Sequence, residues 1–143
     1  MSSPSSIPCL KLAPDAILPT RAHSDDAGLD LYGLEDAILP PQGGKMLRTG
    51  IALALPSGHV GMIADRSSLA KKGVKTSGGV IDAGYRGEIQ VVVWNLSKEE
   101  IRLSRGERIA QLLIFPIATP AVQEVQELDS TVRGTGGFGS TGK

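Results

Sequence analysis

Met46-Leu47-Arg48-Thr49-Gly50-Ile51-Ala52-Leu53-Ala54-Leu55 decides the fold class. Leu47, Thr49, Ile51, Leu53 and Leu55 recur at every second position, a period of two that sets one face of an extended strand against a core. Working outward, further strand-like runs follow at short intervals: Val60–Ile63, Ile89–Trp94, Ile101–Leu103, Ile109–Phe115 and Val122–Val125. Between them lie the turn signals Pro56-Ser57-Gly58, Asn95-Leu96-Ser97-Lys98 and Ser104-Arg105-Gly106-Glu107. No stretch carries a long helical period. One short helix is expected, N-capped by Ser67 or Ser68, running through Leu69-Ala70-Lys71-Lys72 and stopped by Gly73. The chain therefore reads as all-β: a sandwich, barrel or jelly roll in one domain.

Composition narrows the function classes. A length of 143 residues is enough for one sizeable core. The formal net charge is +0, so no whole-molecule field steers the chain to nucleic acid, and any basic site is local. Aromatic residues are 3%, too few for the stacked platforms of single-strand binders. The single Cys9 allows no intrachain disulfide, and with His23 and His59 alone a zinc site is not expected. This suits a reducing compartment. Met-Ser-Ser-Pro-Ser-Ser carries neither the basic nor the apolar part of a secretory signal. The longest apolar run, Leu112 to Ile117, is far too short to span a bilayer, so no membrane partner is expected.

The last eleven residues, Arg133 to Lys143, include five glycines and one aromatic ring, Phe138. Such a segment buries little apolar surface, and its glycines are entropically costly to order. Its backbone N–H groups, Arg133 and Lys143 suit an anion, and Phe138 suits a planar ring; together they describe a nucleotide. A plain unstructured tail is the ordinary alternative. Gly137 to Lys143 also fits G-x-x-x-x-G-K, but no Ser/Thr or helix follows it, so a Walker loop is not expected.

Four internal constellations carry polar groups in unusual settings. Asp65-Arg66-Ser67-Ser68 offers a guanidinium fork and two hydroxyls at a helix start, an anion site or an ordinary cap. In Gly78-Gly79-Val80-Ile81-Asp82-Ala83-Gly84-Tyr85, glycines flank one aspartate, suggesting a hairpin whose backbone closely approaches a neighbour. Asp82 there is a general base or a turn residue, and Tyr85 a site residue or core filler. Asp30 sits in the apolar Ala27-Gly28-Leu29-Asp30-Leu31, where burial requires pairing or a nearby metal. Gln111 interrupts the apolar Ile109–Leu113, so it meets a buried partner, faces a cleft or lies on an outward strand face.

Taken in order, these pieces resemble the five motifs of the homotrimeric dUTPase family, from about Leu10 to the last residue: Gly28-Leu29-Asp30-Leu31, Arg66-Ser67-Ser68-Leu69, Gly79-Val80-Ile81-Asp82 with Tyr85 and Gly87, Gly106-Glu107-Arg108-Ile109-Ala110-Gln111, and the glycine-rich tail. The resemblance implies a distorted jelly-roll (β-clip) subunit with one short helix, assembling as a homotrimer. It implies one β domain over residues 1–128 and a tail over 129–143 that closes a neighbour's active site. It implies hydrolysis of dUTP to dUMP and pyrophosphate, limiting uracil in DNA and supplying dUMP for dTMP synthesis. Magnesium would be held mainly by substrate phosphates and water. Asp82 would deprotonate the attacking water, with Gln111 near the phosphates and Asp30 supporting the metal's water shell indirectly. Gly79, Val80 and Ile81 would read uracil, and Tyr85 would pack on the deoxyribose. Arg66, Ser67 and Ser68 would bind phosphate. From the tail, Phe138 would cover the base while Arg133, Gly139, Ser140 and Thr141 reach the phosphates. A cytoplasmic location is expected, with nucleus or organelle open for a eukaryotic source.

The chain departs from the common Pro-Arg-Ser-Gly-Leu form of the second motif at Asp65 and Ser68. Asp65 puts a negative charge beside Arg66, where it is positioned to tune or pair it. An Arg-Ser-Ser motif also occurs in the related dCTP deaminases. Their deamination needs a glutamate ten residues after the third-motif aspartate, and Val92 stands there. A non-catalytic nucleotide-binding trimer is the other alternative.

Overall fold

The structure, a computed structural model, describes residues 6–139. Ten strands and one short helix follow in order: β1 (Cys9–Lys11), β2 (Leu29–Tyr32), β3 (Ala37–Leu39), β4 (Gly44–Leu53), β5 (His59–Ala64), α1 (Ser67–Ala70), β6 (Val74–Ser77), β7 (Val80–Asp82), β8 (Glu88–Asn95), β9 (Ile101–Leu103) and β10 (Arg108–Pro116). They form two four-stranded antiparallel sheets, β1-β4-β8-β6 and β2-β10-β5-β7, with β3 and β9 as a separate pair. This is the expected all-β, jelly-roll-like subunit.

The period-two run becomes β4, the partner of both β1 and β8. Alternation holds from Met46 to Thr49, with Leu47 and Thr49 buried and Met46 and Arg48 outside. From Thr49 to Leu53 every residue is buried, because the N-terminal segment covers the other face. There the Leu12 N–H donates to the Gly50 carbonyl at 2.7 Å, and Ala16 packs into the core. Opposite, β8 sends Ile89, Val91 and Val93 inward at zero exposure, and the second sheet answers with Leu31, Ala110, Leu112 and Ile63.

Three local expectations are corrected. Neither serine caps the helix: Arg66 holds the extended N-cap position (φ −86°, ψ 134°) and makes no side-chain cap, so Ser67 and Ser68 fall inside the first turn. The stretch Val80–Asp82 is not half of a hairpin. β6 belongs to the first sheet and β7 to the second, and the positive-φ pair Gly78-Gly79 turns the chain between them. Val122–Val125 forms no strand, because a ladder needs a neighbour and no described strand pairs with it.

Asn95 ties the end of β8 to the small sheet. Fully buried, it donates through Nδ2 to the carbonyls of Leu39 (3.0 Å) and Glu99 (2.8 Å), and its Oδ1 accepts from the Ser97 N–H (3.0 Å) and hydroxyl (2.7 Å). Asn95→Ala strands these groups at roughly 1–3 kcal/mol for an unpaired buried partner. Its urea midpoint is expected to fall clearly below that of the parent at equal protein concentration; an unchanged midpoint refutes this role.

Candidate active site

The outer face of the β2-β10-β5-β7 sheet carries three of the polar candidates, Asp30, Gln111 and Asp82. Register places Asp30 directly opposite Gln111, and Gln111 opposite Ala64. At the far end of β5, Val60 lies opposite Asp82. Directly paired residues share a face, and so do residues two apart on one strand. Asp30, Gln111 and Asp82 therefore project from the same side. They are not together. Four residues of β5 and two strand steps separate Gln111 from Asp82, about 13 Å along the strands and about 10 Å across them.

At the Asp30 end, two cations share one carboxylate. Arg66 Nε is 3.4 Å from Asp30 Oδ1, and Arg108 Nε is 3.5 Å from Oδ2. Pairing with these two cations makes this aspartate tolerable inside an apolar strand. Arg108 also stands over the Tyr32 ring, 6.0 Å from its centroid. The Thr20 hydroxyl and the Arg108 guanidinium hold the Tyr32 phenol below its usual pKa. Tyr32, Arg66, Ser68, Lys72 and Arg108 line an open cleft of about 430 Å³. A smaller cavity of about 250 Å³ near Gly33, Asp36 and Arg48 shares no lining residue with it. Arg108, Tyr32 and Lys72 were not singled out from sequence. Arg108 stood inside the fourth motif, but only folding brings it to Asp30.

Gln111 is half-buried and held at both ends. Its Nε2 donates to the Asp65 carbonyl at 2.8 Å. Its Oε1 lies against Gly28, where an added Cβ would clash with it. Of the two readings open for Asp65, pairing with Arg66 is not the one the structure takes. Its Oδ1 accepts from both the Thr76 N–H and the Thr76 hydroxyl at 2.6 Å, and Lys75 Nζ lies 3.2 Å from Oδ2. Burial opposes ionisation of this carboxyl, but the Thr76 and Lys75 contacts outweigh it and hold the pKa below the usual value.

At the other end, β7 is an edge strand: it pairs with β5 on one side only. Val80 and Asp82 are exposed, whereas the Ile81 side chain is in the core, leaving only its backbone to meet a ligand. Gly79 (φ 93°) comes so close to β5 that a Cβ would stand 2.8 Å from Ile63 Cβ, and its carbonyl accepts from the Ile63 N–H at 2.9 Å. Tyr85 is exposed, so it is not core filler. Its ring lies on Gly87, and its hydroxyl donates to the Glu88 carbonyl at 2.8 Å. The Glu88 carboxylate accepts from the Gly50 N–H at 2.9 Å and Arg48 Nε at 3.1 Å, anchoring that carbonyl to β4.

Beyond Ile117, the hydrogen bonds among the described residues are internal to the tail: Arg133 Nε donates to the Gly136 carbonyl at 2.7 Å, the Gly136 N–H to the Arg133 carbonyl at 3.1 Å, and the Gly134 N–H to the Thr131 hydroxyl at 3.0 Å. Phe138 is fully exposed with φ 52°. Ser140 and Thr141 lie outside the described residues.

The family model described as dUTPase matches residues 14–142. The chain belongs to the dUTPase family. A Corynebacterium glutamicum protein named deoxyuridine 5'-triphosphate nucleotidohydrolase is 46% identical over 147 residues, covering 100% of this chain and 99% of that one. The Staphylococcus phage 80alpha dUTPase solved with dUpNHpp superposes with a TM-score of 0.92 at 32% identity, over 98% of this chain and 100% of that one. A phage phi11 dUTPase variant, described as coordinating a structural Mg(II) ion, gives a TM-score of 0.80 at 28% identity, over 85% of this chain and 97% of that one.

The dUTPase-like motifs thus form two separate clusters on this chain, Asp30–Arg66–Gln111 and Gly79–Asp82–Tyr85, and the tail makes no hydrogen bond to either among the described residues. Among the described residues, no three carboxylate, imidazole or thiol groups converge as a metal cage. Asp30 is already shared by two guanidinium groups. With that carboxylate so engaged, the described residues offer a cation no cage of their own. Because a Cβ at residue 28 would push the Gln111 amide out of its place, Gly28→Ala is expected to lower dUTP turnover about 10- to 100-fold while leaving the urea midpoint close to that of the parent. Steady-state kinetics beside an unfolding curve checks this; unchanged kcat means the Gln111 placement is not needed.

Proposed function

We propose that this chain hydrolyses dUTP to dUMP and pyrophosphate as a homotrimer in which different subunits supply the two halves of each site. The observation that carries this reading is the separation of Asp82 from the Asp30–Arg66–Gln111 group on one sheet face. One subunit cannot bring a base on β7 to a phosphate held by its own α1 and β10 segments. A second copy can. The outer face between the half-sites carries Val60, Met62 and Leu113, partly buried, and Phe115, exposed, which suits self-association.

Each half-site has its own chemistry. The backbone of Gly79 to Ile81 meets the amide-like edge of uracil through the N–H and C=O groups that β5 does not already take, the Gly79 carbonyl being held by Ile63, and the tight Gly79 corner leaves little space for a 5-methyl group. Tyr85, pinned over Gly87, lies on the deoxyribose and leaves no room for a 2′-hydroxyl. Arg66, Ser67 and Ser68 hold phosphate oxygens in the basic cleft with Arg108. Asp82 takes a proton from a water whose oxygen attacks the α-phosphorus; the bond to the β-phosphate oxygen breaks and pyrophosphate leaves. Gln111 orients phosphate and water. Asp30 would support the water shell of a magnesium ion held mainly by the substrate phosphates and water, an ion that would supply charge neutralisation. The tail from residue 129, with Arg133, Phe138, Gly139, Ser140 and Thr141, closes over the base and phosphates of a site on neighbouring subunits and excludes water. A cytoplasmic setting fits the lone Cys9. The deaminase alternative finds no support: Val92, on β8, is a hydrocarbon side chain that moves no proton.

Pyrophosphate release is expected from dUTP with magnesium, and far less from dTTP, UTP or dCTP; ammonia from dCTP would favour the deaminase. Asp82→Asn and Gln111→Ala, each nearly inactive alone, are expected to regain turnover when unfolded together and refolded as mixed trimers. If the mixture stays as inactive as its parts, both residues serve the same subunit's site. Tyr85→Ala is expected to raise kcat/KM for UTP relative to dUTP by 10-fold or more, about the 1–3 kcal/mol range of a small-group discrimination; an unchanged ratio removes Tyr85 from sugar selection.

A further inference from the structure

Asp65 stands where the second motif of the family often has proline, and it does something proline cannot. Its carboxylate reaches from the end of β5 in one sheet to the middle of β6 in the other, accepting two hydrogen bonds from Thr76 at 2.6 Å and facing Lys75 at 3.2 Å. Thr76 is buried, so its N–H has no water to turn to. Residues 65 and 76 bracket the segment that carries Arg66, Ser67 and Ser68, so this clamp closes the base of the phosphate-binding loop. The same residue's carbonyl accepts the Gln111 amide at 2.8 Å. A carbonyl can be met only by the N–H end, so this contact fixes which way the Gln111 amide faces and turns Oε1 toward Gly28.

We infer that Asp65 is a positioning residue: by clamping Thr76 it holds its own backbone still, and its carbonyl in turn aims the Gln111 amide. Where proline would stiffen this point through its ring, this chain stiffens it through a charged hydrogen-bond acceptor. The inference rests on the role given to Gln111 above.

The test compares Asp65→Ala and Asp65→Asn in the full chain, each in the Gln111 and the Gln111→Ala backgrounds, with dUTP and magnesium. Asp65→Ala is expected to lower kcat about tenfold and leave KM almost unchanged. Asp65→Asn keeps an acceptor for Thr76 and is expected to retain most of the turnover. In the Gln111→Ala background, Asp65→Ala is expected to cost little more, since the group it acts through is gone. Unchanged kcat in Asp65→Ala, or an equal loss in both backgrounds, overturns the inference.

A second readout is independent of turnover. The Gln111 side-chain amide proton pair, identified in an NMR spectrum by its loss in Gln111→Ala, is expected to shift and exchange faster with water in Asp65→Ala and to stay in place in Asp65→Asn. An unmoved pair in Asp65→Ala overturns the inference even if dUTP proves not to be the substrate. Thr76→Val removes one donor while keeping the shape; it is expected to move the pair in the same direction, and serves where Asp65→Ala does not fold.

Discussion

The register of β10 between β2 and β5 is the constraint on which the candidate site depends. β10 is the strand through which the second sheet transmits position: Gln111 faces Asp30 on one side and Ala64 on the other. A slip of one residue would turn Gln111 into the core and bring Leu112 to the surface. Burial of Ala110 and Leu112 at zero exposure opposes that slip with the whole of the hydrophobic core. Hydrocarbon packing thus sets the position of an amide that is not itself part of the core.

Charge is arranged around that frame rather than spread over the molecule. The chain has no net charge, yet Arg66 and Arg108 converge on the single Asp30 and share a cleft with Lys72. One carboxylate holds two guanidinium groups apart and in place while leaving donors free for a polyanion. Asp65, close in sequence, is drawn away from this group by Thr76 and Lys75. The two aspartates of the region therefore divide the work: Asp30 organises the arginines, and Asp65 ties the loop to the opposite sheet.

Much of the candidate site was legible as residue types. Asp82, Tyr85, Gln111, Asp30 and Arg66 stood out because each is polar or aromatic in a setting that composition alone does not explain. The all-β class was legible in the period of two. Other features were not. Arg108 reads as one more charge after a turn until β2 places Asp30 beside it. Glu88 reads as a strand opener until its carboxylate meets Gly50 and Arg48 of β4, a contact between residues 38 and 40 positions apart. The Val122–Val125 run has the pattern of a strand, and pattern does not supply a partner.

The sequence by itself determined the strand periodicity, the turn points, the order of the motifs and so the family, since these are local properties of side chains and backbone. Tertiary structure alone decided which polar groups meet: Arg66 with Asp30 rather than Asp65, Gln111 with a carbonyl, Tyr85 on a glycine, and Asp82 far from the cleft of Arg66 and Arg108. The physical reason is that ion pairs and hydrogen bonds act over a few ångströms, and those distances exist only after long-range strand pairing has brought distant stretches of chain side by side.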